Sequence, residues 1–160
     1  MTLQFGYDKK KVIQALRYHF ISRREIRLML VLVNVFALLS MTLYVWGKVT
    51  GFAFIIGSFL WIVLLISFWF VLPFSVYRRA VTFRHEFEMD FDLQGFTLRH
   101  QNGSRKWEWS SLKSFVESPH FFHLYFDSRS FILVPKDACR GIDQTQELRE
   151  LIRSKIVKVR

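Results

Sequence analysis

Two stretches of the chain run without a charge for about the thickness of a bilayer. Leu28 to Trp46 is nineteen residues, interrupted only by Asn34, Ser40 and Thr42, and Phe52 to Leu72 is twenty-one, interrupted only by Gly57, Ser58 and Ser67. At a rise of ~1.5 Å per residue each makes a helix of about 30 Å, enough to cross the hydrocarbon core. A helix packed in a soluble bundle keeps a polar face, and neither stretch shows one at any period. The sequence therefore predicts two transmembrane helices, 28–46 and 52–72. The five residues 47–51 between them allow only a tight turn, so the pair forms a hairpin. Gly47 and Gly51 have GxxxG spacing but sit in that turn, where glycine's freedom at positive φ is the simpler reason for them. The first run starts 27 residues in, is too long for the apolar part of a signal peptide and lacks an A-x-A cleavage signal, so it is expected to stay as an anchor.

The net charge of +10 would suggest a nucleic acid or an anionic membrane as partner, unless its distribution says otherwise. Residues 1–27 hold +5, from Lys9, Lys10, Lys11, Arg17, Arg23, Arg24 and Arg27 against two acids. Lys48 adds +1, residues 52–85 add +3 from Arg78, Arg79 and Arg84, and the last 75 residues, 86–160, add only +1. The excess thus flanks the apolar runs. The positive-inside rule places both termini in the cytoplasm and the turn outside, the topology expected of a multi-pass membrane protein. The single cysteine, Cys139, excludes a disulfide framework and suits a reducing compartment.

Outside the two runs the pattern is that of a small α+β domain. Leu3 to Tyr7 alternates like a short strand, and Asp8 is placed to cap a basic amphipathic helix carrying Val12, Ile13, Leu16 and Phe20 at helical spacing. Two placements suit that helix, on the anionic leaflet or against the soluble domain. From Phe83 to Leu93 apolar residues alternate with Glu86, Glu88, Asp90 and Asp92, which predicts one strand with a solvated acidic face. Four carboxylates two residues apart spread too far for one metal ion. Strands are expected over 96–101, 105–109, 112–117, 121–126 and 131–134, with Asn102-Gly103 as a hairpin turn. Asp143, with Gln146 three residues on, predicts the start of a helix over 143–157 with Leu148, Leu151, Ile152, Ile156 and Val159 on one face. The expected architecture is a 1–27 strand and basic helix, a 28–72 hairpin, and a 73–160 domain. That domain is a bent antiparallel sheet of about seven strands, counting the amino-terminal one, covered by a helix. Its element order is that of a pleckstrin-homology-like barrel, an analogy that says nothing of ligand.

Chemistry-bearing motifs are sparse. His120 and His123 are three apart on a strand and so face opposite sides, which opposes a metal pair. Cys139 has no predicted base beside it, which points to a quiet thiol. There is no G-x-S-x-G, P-loop, dinucleotide-binding or H-E-x-x-H pattern, so no catalytic, cofactor or metal residue is assigned. Trp107 and Trp109 share a strand face with Arg105, yet a near-neutral domain lacks the basic groove that nucleic acid needs. Asn34, alone in lipid, is expected to bond across to Ser67 or to a second subunit.

Several stretches taken together resemble the YcxB-like family of bacterial membrane proteins. Asp8 followed by Tyr18-His19-Phe20 and Arg23-Arg24 is similar to the family's opening helix, and Trp107-Glu108-Trp109-Ser110-Ser111-Leu112 to its tryptophan-bearing strand exit. Phe121-Phe122-His123-Leu124-Tyr125, leading to Phe131-Ile132-Leu133-Val134-Pro135-Lys136, resembles its aromatic strand and closing Pro-Lys. Asp137 departs from the pattern, since a basic residue usually follows there. The resemblance implies two transmembrane helices, a carboxy-terminal domain and an inner-membrane location, with no catalytic residue to carry over.

The functional expectation is a non-enzymatic protein, embedded in the bilayer, whose cytoplasmic domain binds a protein partner as an adaptor or as an immunity factor against a toxin. Trp107, Trp109, His123 and Tyr125 are the candidate contacts. The alternative is a homo-oligomeric effector whose hairpin permeabilises the membrane on a cytoplasmic signal. No nucleic acid, cofactor or small-molecule substrate is expected.

Overall fold

A computed structural model describes residues 1–101, 103–128 and 130–156, with Val81 and Arg84 as backbone alone. The chain divides into two compact units, Met1–Ala15 with Ala80–Arg160, and Leu16–Arg79. The amino-terminal segment thus belongs with the carboxy-terminal domain, and the boundary falls inside a helix. This partition differs from the expected 1–27, 28–72 and 73–160.

The first unit is α+β, with seven antiparallel strands in two sheets. β1 (Thr2–Phe5), β2 (Phe87–Phe91), β3 (Gly95–His100) and β4 (Gly103–Glu108) form one sheet in that order. β5 (Ser114–Glu117), β6 (Phe121–Tyr125) and β7 (Phe131–Pro135) form the other. β1 pairs with β2 in the register Leu3↔Met89 and Phe5↔Phe87, bringing residues more than eighty apart together. Alternation then puts Leu3, Phe5, Phe87, Met89 and Phe91 on one buried face. They share a core with Phe96, Trp109, Phe115, Phe122, Leu124 and Val134, and with Leu148, Ile152 and Ile156 of the closing helix. Tyr7 ties the two sheets together: its ring meets Phe5, Phe87 and Phe121, and its hydroxyl donates to Leu133 O of β7 at 2.8 Å. Burial pushes the Tyr7 phenol above its ordinary pKa.

Several expected boundaries move for local reasons. The strand expected from Phe83 to Leu93 is only Phe87–Phe91, because Asp92 Oδ1 accepts from the backbone N–H groups of Gln94 (2.7 Å) and Gly95 (2.6 Å) and turns the chain. That turn leaves Leu93 exposed. Residues Val81–Arg84 form a 3₁₀ turn instead. The β3–β4 hairpin closes with Gly103 paired to His100, one residue earlier than expected; Asn102, like Arg129, lies outside the described residues. The last helix, α5, runs from Ile142 to Lys155, and its cap is Gly141 at φ +98°, a conformation L side chains rarely adopt, rather than Asp143. Asp143 sits in the first turn, where its charge suits the helix dipole. Val157 and Val159 lie outside the described residues.

Helix α1 (Lys9–Ser22) crosses the unit boundary. Asp8 caps it as expected, accepting from Lys11 N at 3.0 Å, and that bond holds the Asp8 carboxyl below its usual pKa. The buried face of α1 is Val12, Ala15, Leu16 and His19, rather than Val12, Ile13, Leu16 and Phe20.

The second unit holds α2 (Arg24–Val45) and α3 (Gly51–Ile66), then a π turn at Ser67–Val71 and α4 (Leu72–Arg79), which continue α3 without a break. Gly47 makes the turn at φ +68°, and Thr50 Oγ1 caps α3 by accepting from Ala53 N, so Gly51 is already helical. Tyr44 stacks on Phe54 at 4.6 Å beside the turn, and a Cβ on Gly57 would stand 3.9 Å from Ser40 Oγ, so small residues meet across the hairpin. No residue of α2 or α3 is buried. Both helices, Arg24–Val45 and Gly51–Arg79, are long and apolar enough to cross a membrane.

The second helix does not end at Leu72. Pro73 lacks the N–H that an α-helix directs at the carbonyl four residues back, Trp69 O. The π turn relaxes the ladder there, with Leu72 N donating to Ser67 O, and Arg17 Nε donates to Trp69 O at 2.9 Å.

Candidate functional site

The sequence-predicted partner contacts separate once the strands are in register. β6 is the middle strand of its sheet and all five of its residues are buried. His123 and Tyr125 are therefore interior, a correction to their expected role. His123 Nε2 lies 2.9 Å from Ser118 Oγ, and its ring stacks on Tyr125 and Phe131. Trp109 is also interior, because β4 ends at Glu108 and a 3₁₀ turn carries the indole inward, where Nε1 donates to Asp92 O at 3.0 Å. An aromatic residue on a short strand is more often core than contact; burial on both faces of β6 decided His123 and Tyr125, and the inward turn after β4 decided Trp109.

Trp107 alone of the four stays at the surface. It is half-buried, stacked on Phe96, with the Arg105 guanidinium 5.1 Å from its ring centroid. Its strand, β4, is the outer strand of its sheet and its other five residues are exposed. The Trp109 N–H donates to Gln94 O, so alternation turns the backbone groups of Ser104, Lys106 and Glu108 away from β3, toward the open edge. The arrangement offers a cationic, aromatic-backed sheet edge.

The membrane-flanking cations scatter into different environments. Lys9, Lys10, Arg24, Arg27, Arg78 and Arg79 are exposed, and Arg78 lies over the Phe74 ring at 5.9 Å. Arg23 is half-buried, its Nε 3.8 Å from Glu25. Lys11 pairs with Asp137, the residue that departs from the family pattern. Asn34 and Ser67 do not bond to each other: Asn34 Nδ2 donates to Leu30 O and Ser67 Oγ to Val63 O, each at 2.8 Å, so each amide or hydroxyl is satisfied one turn back on its own helix.

One cluster had no sequence signal beyond ordinary charge. Glu117, at the end of β5, accepts from Arg149 of α5 through Nε (3.0 Å) and Nη2 (2.7 Å), and from Lys136 Nζ at 2.8 Å. Both cations also lie over the Phe122 ring, at 6.0 and 5.2 Å. The Arg149 hydrogen bonds, with Lys136 assisting, hold the Glu117 carboxyl at a pKa of about 2. The cluster fastens α5 to the three-stranded sheet. Cys139, near Lys136, is half-buried, and burial pushes its thiol upward, toward the unreactive form. Among the described residues no three His, Cys, Asp or Glu side chains stand close enough to share a metal ion.

By architecture this is an α+β protein with two helices long and apolar enough to cross a membrane. Residues 91–152, from the end of β2 into α5, match the family model described as YcxB-like protein, so that part of the chain is similar to this family. No curated protein and no solved structure matches it.

Proposed function

We propose that this is a non-enzymatic protein of the bacterial inner membrane whose hairpin holds a cytoplasmic, pleckstrin-homology-like domain, and that this domain binds a protein partner along the β4 edge. The observation that carries the membrane part is the exposure of α2 and α3, in which no residue is buried although 28–45 and 51–66 hold no charge and are mostly apolar. In water that surface would far exceed the apolar patch a monomer tolerates, whereas lipid is its natural solvent. The cations of residues 9–27 and 78–79 favour both termini inside and Lys48 outside. The four-plus-three strand grouping with a closing helix supports the pleckstrin-homology analogy. The β4 edge is favoured for the partner because Trp107 is the one predicted contact left at the surface, half-buried beside the exposed Arg105, on a strand with one open side.

Two measurements test this. With Cys139→Ser as background, Lys48→Cys should react with a membrane-impermeant maleimide on intact cells and Ser104→Cys only after lysis; the reverse pattern overturns the topology. A photo-cross-linker at Lys106 should trap one discrete heterologous product in cells, and one at Glu147, exposed on α5, should not. Equal trapping at both positions, or at neither, overturns the partner surface.

A further inference from the structure

The end of α1, the first half of α2 and the π turn enclose a crevice of about 380 Å³ within the hairpin-bearing unit. Its volume lies in the ~300–1,000 Å³ range of small-molecule sites. The wall is apolar, built by Phe20, Ile26, Leu30, Leu65 and Phe68, and its polar members are Arg17 and Asn34. Arg17 is held in place from three directions: Nε donates to Trp69 O at 2.9 Å, and the guanidinium carbon stands 5.3 Å from the Trp69 ring centroid and 5.2 Å from that of Phe70. With Nε committed, the two terminal nitrogens of the fork remain to meet an anion, and the aromatic planes fix their direction.

Resting on the reading of α2 and α3 as membrane spans, we propose that this crevice binds one anionic glycerophospholipid, its phosphate on the Arg17 guanidinium and one acyl chain along the Leu30–Leu65–Phe68 wall. Charge and shape choose this occupant. A purely apolar helix in the crevice would leave a cation desolvated against hydrocarbon, and a small soluble anion would leave the apolar wall unfilled. A phospholipid satisfies both with one molecule. Arg23, Arg24 and Arg27 follow at the start of α2 and raise the local concentration of anionic headgroups without themselves lining the crevice.

The test uses the full chain in nanodiscs of phosphatidylcholine with a minor fraction of phosphatidylglycerol, analysed by native mass spectrometry. One phosphatidylglycerol should be retained per chain, with about tenfold preference over phosphatidylcholine. Arg17→Gln should abolish the preference, and Leu65→Trp, which fills the crevice and keeps the cation, should lower retention of both lipids. Arg79→Gln, a flanking cation outside the crevice, should change retention less than twofold. Equal losses in Arg17→Gln and Arg79→Gln would show attraction by bulk charge and overturn the site, as would dimers that retain no lipid. Vesicle flotation after alkaline extraction separates the two readings: a chain left in the aqueous fraction overturns the membrane assignment, and one that floats but keeps no phosphatidylglycerol overturns only the lipid site.

Discussion

Phe96 and Phe52 are the same side chain with opposite fates: Phe96 is 0% exposed between the sheets, and Phe52 is 76% exposed at the start of α3. The first unit covers its apolar residues with its own strands and α5, so its stability is internal. The second leaves them uncovered along two full helices, so its stability depends on what surrounds the chain. Under the proposed reading, water suits the first unit and lipid the second.

Five substitutions break or sharpen that contrast. Phe96→Ala should cost the first unit about 3–5 kcal/mol, read by denaturant unfolding of the full chain in mild detergent, because it empties a core site. Phe52→Ala should leave the same transition in place, since no protein core is opened. Leu60→Arg, on a residue 56% exposed midway along α3, should weaken membrane insertion by about 3 kcal/mol, measured as the fraction resisting alkaline extraction. Insertion unchanged by that arginine would mean the helix faces water.

A smaller effect belongs to Glu117. Its folded pKa of about 2 lies below the ordinary 4.5, so its contribution is fully present above pH 4.5 and is lost as pH falls toward 2. Glu117→Gln should cost about 1–2 kcal/mol at neutral pH and flatten the acid limb of a stability profile of the first unit. A variant with an unchanged acid limb would assign the limb to other carboxylates. Smallest of all, Leu93→Arg should change stability by less than about 0.5 kcal/mol, although Leu93 is 79% exposed and so more open than Leu60. The same replacement on two exposed leucines then reports the surrounding solvent rather than the exposure.

Much of this was legible in the sequence. The two apolar runs needed only length and the absence of charge, and the succession of strands along the chain followed from alternation and turn residues, because these are local signals; the division of those strands into two sheets, where one bent sheet is expected, is not local. Asp8 announced its helix for the same reason. The candidate contacts were less legible. Trp109, His123 and Tyr125 look in sequence much as Trp107 does, and only the position of β6 between two partners and the inward turn after Glu108 bury them. Glu117 was silent because its partners, Lys136 and Arg149, lie nineteen and thirty-two residues away. Arg17 was one cation among many until Pro73 made Trp69 O a place to bind it.

By itself the sequence determined what each segment is: which runs are long and apolar enough to cross a membrane, which strands have one wet face, where the chain turns, and the similarity of the carboxy-terminal part to the YcxB-like family. Those properties depend on residues a few positions apart. Tertiary structure decided which segments meet. It placed β1 beside β2 across the whole hairpin, set Tyr7 against β7, closed α5 onto Glu117, and gathered Arg17 with Trp69 around an apolar crevice. Such pairings join residues tens of positions apart and are selected by packing and charge in three dimensions, which no local pattern records.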